Sequence, residues 1–159
     1  MTESIEVKRY PIYTAFRELI PGTGFIAGVE ASVRAIAEQE TEGWWIYGIN
    51  PTALAESGES VDVAVRQFHH RLKTVLCDLA EEAESFDAFK REAEQFFAGT
   101  GDPQAEKEWA EARASVREGK SDIPGLRRIS ADQKAEISVL LLATLPPTKN
   151  TERGPAIAA

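Results

Sequence analysis

Cysteine is nearly missing: Cys77 is the only one in the 159 residues. No disulfide can therefore form within the chain, and a fold held by packing alone suits a reducing cytoplasm. Histidine is almost as scarce, with His69 and His70 side by side. Adjacent positions on a helix point about 100° apart, so this pair cannot grip one ion, and surface or boundary packing is the expected role. No apolar run approaches the ~20 residues that span a bilayer. The opening Met1-Thr2-Glu3-Ser4-Ile5-Glu6 lacks the basic-then-apolar order of a secretion signal. Basic clusters are lacking too. With 26 acidic against 18 basic residues, the formal net charge is −8, and Arg127-Arg128 is too short to make a patch. That balance disfavours nucleic acid and anionic membrane and makes a basic protein the more natural partner. The chain has no internal repeat, no glycine-rich phosphate loop, no Ser/His/Asp arrangement and no Cys/His metal spacing, so no cofactor is expected.

What the chain does have is a change of hydrophobic period. From Phe25, the apolar positions Ala27, Val29, Ala31, Val33, Ala35 and Ala37 alternate with mostly polar ones such as Glu30, Ser32, Arg34 and Glu38, which places two chemistries on opposite faces of one strand. Trp44 to Ile49 is aromatic and β-branched and should return as the second strand of a hairpin. The stretch from Asn50 to Ser60, punctuated by Pro51 and Gly58, reads as a loop, with Ser60 placed to cap a helix beginning at Val61. That helix is the clearest in the chain, because Val61, Ala64, Val65, Phe68, Leu72, Val75, Leu76, Leu79, Ala80 and Ala83 share one face.

The remaining segments have weaker patterns. Ile5 to Leu19 reads as a strand with Pro11 at an edge or bulge. Phe86 to Phe97 forms a helix with an aromatic stripe, and Asp102-Pro103 opens a third helix by the cap-then-proline rule. That helix carries only Trp109 and Val116 as large anchors and should lie exposed or against a partner. Ile137 to Leu145 comes after a capping-box spacing, Ser130 to Gln133, that suits a helix. Its continuous apolar run, stopped by Pro146-Pro147, better suits a buried central strand. The expectation is an α+β fold: three to four antiparallel strands against a long helix, with further C-terminal helices. It forms one domain over residues 1–147 with a helical insertion at about 86–118, and 148–159 is a disordered tail.

The order strand, strand, strand, helix and late strand, with Trp44 to Ile49 running into the Pro51 loop and Gly58-Glu59-Ser60 preceding the helix, resembles the HicB-like antitoxins. In that family a proline loop leads to Gly-x-Thr and a helix whose first turn carries Glu-Ala. Gly58, Ser60 and Ala64 occupy comparable places, whereas Val63 stands at the acidic position and Ala53 where a loop glycine is usual. The likeness covers Tyr10 to about Ala83, with Glu136 to Leu145 as a final strand. It implies a truncated ribonuclease H-like fold and a non-enzymatic protein that neutralises a small basic RNA-cleaving toxin. The DNA-binding module that many members carry has no counterpart after Gly101.

Two further functions compete with that one. A stand-alone assembly subunit would self-associate through the Trp109 helix, and homo-oligomerisation is expected in either case. A metal-dependent nuclease would need clustered carboxylates, for which Glu30, Asp62 and Asp78 are the candidates. Asp62 and Asp78 stand ~24 Å apart along one helix and cannot share an ion. The expected partner-binding residues are Trp44, Glu81, Glu82 and Trp109. Trp44 and Trp45 alternate faces, so one belongs to the core and the other to the surface. Glu81 and Glu82 oppose the helix dipole at a cost that partner binding could offset.

Overall fold

The computed structural model describes residues 8–51, 54–98, 103–117 and 136–145. Strand β1 (Lys8–Gly22) and β2 (Phe25–Glu40) form an antiparallel hairpin, paired along its whole length from Lys8 opposite Gln39 to Gly22 opposite Phe25. The tight turn between them uses Gly24 at φ 84, a conformation open to glycine and costly for most other residues. β3 (Gly43–Asn50) doubles back against the C-terminal half of β2, and β4 (Ala55–Gly58) pairs with β3. Among the described residues three helices come next, α1 (Val61–Glu82), α2 (Phe86–Ala98) and α3 (Pro103–Arg117), and then β5 (Glu136–Thr144). β5 pairs antiparallel with the N-terminal half of β2, Phe25 to Ser32. One edge of β2 is thus shared between β5 and β3, and its other edge belongs to β1.

Strand periodicity decides which residues meet. The even positions of β1 and the odd positions of β2 face inward together: Phe16 lies opposite Ala31, and Ile20 opposite Ala27. Ala27, Ala35 and Ala37 are fully buried. Their small side chains leave room for the helix, and Phe16, Ile20, Phe68, Leu72 and Leu76 fill it. α1 supplies the covering face at i, i+4 spacing, Ala64, Phe68, Leu72, Leu76 and Ala80. Its first turn is fixed by the Ser60 hydroxyl, which accepts from the Val63 amide at 3.2 Å. α2 extends the same layer, with Phe89 stacked near Phe25 at 5.6 Å between ring centroids.

α3 lies on the opposite face, on a second, smaller core. Ile36, Ile49 and Trp109 are buried there with Tyr13 and Ala105 beside them. Arg34 holds the helix electrostatically. Its guanidinium makes a two-point contact with Glu106, at 3.0 and 2.6 Å, donates to Asn50, and stacks over the Trp109 indole at 5.3 Å. Trp109 is only 4% exposed, so the expectation of an exposed or partner-facing third helix is corrected. Tyr13 meets the indole edge-on at 5.2 Å and consumes the surface that a partner would need.

Two further expectations change. The segment from Asn50 to Ser60 is not all loop, because β4 forms within it. β5 is a strand but not a central one: among the described residues it pairs only with β2, and Leu140, Leu141 and Leu142 are exposed. Its apolar run reflects an open edge rather than burial on both sides. The expected connection over residues 119–129, the capping box at Ser130 and the tail from Thr148 lie outside the described residues.

Candidate functional site

The tip of the β2–β3 hairpin gathers aromatic and acidic side chains. A two-residue turn, Thr41-Glu42, sets Glu40 opposite Gly43, Gln39 opposite Trp44 and Glu38 opposite Trp45. Gly43 is required there. Its φ is 153, and a Cβ would stand 2.6 Å from the Gly58 carbonyl oxygen of β4. Since odd residues of β2 face inward, the register sends Trp44 to the inner layer, where it packs on Tyr10 at 5.8 Å. Trp45 goes to the outer face, where its ring stacks on Tyr47 at 6.0 Å and 20° between planes.

Carboxylates surround this aromatic pair. Glu38 is buried, ion-paired to Arg9 at 3.1 Å and hydrogen-bonded by the Tyr47 hydroxyl. Burial, that bond and the negative charges of Glu38 and Glu40 together push the Tyr47 phenol up to about 12, against a smaller opposite effect of Arg9. Tyr47 therefore remains a neutral donor at any physiological pH. Glu40 and Glu42 are exposed. With Gln39 and Thr41 they line a hollow of about 360 Å³. A stacked indole and phenol on the same hairpin as two open carboxylates suits basic side chains: π faces take a stem and charge, and carboxylates take N–H groups.

The four sequence-derived partner residues do not come together. Trp44 lies beside Gly58, next to the first turn of α1. Glu81 and Glu82 are exposed at the other end of that helix, where the Glu81 carbonyl accepts from Thr23 in the β1–β2 turn. About 30 Å of helix separates the two ends. Trp109 is on the opposite face of the sheet, in α3's own contact. The residues alone suggest Trp44 as the contact, whereas counting back from the Thr41-Glu42 turn places the half-buried Trp45 on the outer face.

The other candidate chemistry disperses in the same way. Glu30 is paired with Arg17 at 2.9 Å on the outer face, whereas Asp62 and Asp78 are exposed on α1. Among the described residues no group of three or more His, Cys, Asp or Glu side chains gathers as a metal site would require. His69 is a boundary residue, its Nε2 2.6 Å from the Thr14 hydroxyl and its ring edge-on to Phe16. Burial lowers its pKa, partly opposed by Glu18. Burial pushes the Cys77 thiol up, with Lys73 acting in the other direction, so Cys77 lacks the thiolate character of a nucleophile. No described helix is long and apolar enough to cross a membrane. Comparison with protein-family models, curated proteins and solved structures finds no match.

Proposed function

We propose that this chain is a non-enzymatic, HicB-like antitoxin-type protein of the cytoplasm, which binds a small basic RNA-cleaving protein and neutralises it by occlusion. The observation supporting this is the hairpin tip, where Trp45 stacks on Tyr47, the charge of Glu40 is felt by the Tyr47 phenol, and Glu40 and Glu42 line an open hollow. A basic RNA-binding face presents the lysine and arginine side chains that such a surface accepts. The net charge of −8 speeds encounter, and the aromatic pair provides the buried anchor that holds the complex. Glu81 and Glu82 act only on approach. At about 30 Å from the tip they lie several Debye lengths away at physiological salt.

Capture from a lysate of the native host tests this, using the wild-type chain, a Trp45→Ala/Glu40→Gln/Glu42→Gln variant and a Glu81→Gln/Glu82→Gln variant. A small basic protein retained by the wild type and the Glu81/Glu82 variant but lost from the hairpin variant supports the reading. Retention by all three, or capture of no basic protein by the wild type, refutes it.

A second reading, a structural subunit that acts through homo-oligomer contacts, is favoured by a different observation. Large exposed apolar side chains concentrate on β5, with Leu140, Leu141 and Leu142 in sequence. The burial of Trp109 moves that role from α3 to this strand.

A further inference from the structure

We propose that β5 is a homodimerisation edge, across which two copies pair antiparallel about a twofold axis at Leu141. This names the surface on which the second reading depends, and it stands whether or not a basic partner is bound.

An edge strand presents unpaired N–H and C=O groups, and folded proteins guard such edges with lysine, proline, inward charges or covering segments. β1, the other long edge, has Pro11 and Pro21 and several charged residues. Among the described residues no further strand pairs with β5. From Ile137 to Leu145 it carries no charge and no proline, in a chain of which 28% is charged. Leu140, Leu141, Leu142 and Leu145 are 54%, 46%, 52% and 41% exposed. Leu142 lies over Gly28, where a Cβ would come within 3.0 Å of it, so the leucine row closes over β2 and then stops at an edge with no other strand among the described residues.

The composition of the strand selects a second copy as its occupant. An isologous contact must be complementary to itself. With the axis at Leu141, each antiparallel pair from Ile137 to Leu145 matches in kind: Leu140 meets the other copy's Leu142, Ser138 meets Thr144, Ile137 meets Leu145, and Val139 meets Ala143. Moving the axis to Leu140 sets Ser138 against Leu142, which spoils the match. Cross-strand apolar and hydroxyl pairs of this kind stabilise sheets, whereas like charges face to face destabilise them. The absence of charge from Ile137 to Leu145 lets two molecules of net charge −8 meet here. Wholly buried, the exposed parts of the four leucines account for on the order of 600 Å² across the pair, over half of the ~1,000 Å² that a specific interface needs.

Sedimentation equilibrium of the full chain over a wide concentration range, beside a Leu140→Glu/Leu142→Glu variant, tests the association. The wild type is expected to dimerise. The variant, which faces each glutamate with another, is expected to dimerise at least about a hundredfold more weakly, with an unchanged circular dichroism spectrum. Register is tested separately in a Cys77→Ser background. Cα atoms directly opposite each other in an antiparallel pair lie ~4.5–5.5 Å apart, within the range of a disulfide. Leu141→Cys should therefore oxidise to a covalent dimer much faster than the exposed control Asp62→Cys. A wild-type chain that stays monomeric, a dimer that survives both glutamates, or Leu141→Cys oxidising no faster than the control overturns the proposal. None of these outcomes depends on a basic partner, so failure here is distinguishable from failure at the hairpin tip.

Discussion

Trp109→Ala should release α3 from the sheet while leaving the rest of the fold standing. The indole is the main buried group of the outer core, and the other α3 residues there, Ala105 and Ala112, are small. Removing ~200 Å² of aromatic surface, at ~25 cal/mol/Å², takes about 5 kcal/mol from the docking of the helix. It also leaves Arg34 and Tyr13 without their stacking partner. A 15-residue helix is marginal alone, and the remaining Arg34–Glu106 pair is half open to solvent and contributes about 1 kcal/mol at most. The loss should therefore appear as local undocking, and the cost to global stability stops at the free energy of docking, about 2–4 kcal/mol. Hydrogen exchange read residue by residue is the assay. Amides of 103–117 should fall to near-peptide protection while those of Val29, Val33 and Leu72 keep theirs, and the urea m-value should drop slightly because less surface remains to be exposed. Equal loss of protection in β2 and α1 would refute the separation of the two cores, and continued protection of α3 would refute the role of the indole.

Other substitutions test single contacts. Ser60→Ala removes the cap on α1 and should lower the urea midpoint by the equivalent of about 1 kcal/mol without changing the m-value. Arg34→Lys keeps the charge but loses the forked contact to Glu106 and the planar stacking over Trp109, and should cost about 1 kcal/mol, read as weaker protection of α3. His69 makes stability depend on pH. Its folded pKa is below the ordinary value of 6.5, so the unfolded chain binds the proton more readily. The contribution is full above 6.5 and is lost as pH falls through 6.5 toward the folded value. Denaturation at pH 7.5 and 5.5 should show a steeper loss for the wild type than for His69→Gln, and equal losses would remove this role. At the hairpin, Trp44→Ala, which removes a side chain packed on the inner core, should lower the unfolding temperature more than Trp45→Ala, as thermal unfolding of the two variants will show.

Much of this architecture is legible in the residues because one face of each element is buried. The alternation from Ala27 to Ala37 and the i, i+4 spacing from Ala64 to Ala80 each correspond to a single inner layer, so local pattern and tertiary packing agree. β5 is harder to place, since an apolar run has the same composition whether it lies central in a sheet or on an open edge. Only the pairing partner distinguishes them, and that contact is more than a hundred residues away in sequence. Trp109 is misread for a related reason. One tryptophan on an Ala- and Glu-rich helix looks like an anchor for another molecule, but the residues that receive it, Tyr13, Arg34, Ile36 and Ile49, come from three strands on the face that alternation marks as polar. Arg34 in particular reads as solvent-exposed in that pattern, and it becomes a stacking surface only when α3 arrives.

The two proposed surfaces lie at opposite ends of β2, and this determines how they combine. β5 pairs with Phe25 to Ser32 and the hairpin tip begins at Glu40, so at ~3.4 Å per residue the tip stands roughly 30–50 Å along the strand from the edge. Pairing through β5 then leaves both tips uncovered, facing away from the twofold axis. A dimer could occlude two basic partners at once, or grip a dimeric one at two points, and linked binding of the second kind exceeds either single affinity without any new contact. The edge variant Leu140→Glu/Leu142→Glu separates these cases. If the partner is monomeric, its affinity for each tip stays the same in the variant. If the partner is dimeric, the loss of the edge lowers the apparent affinity although no residue at the tip has changed.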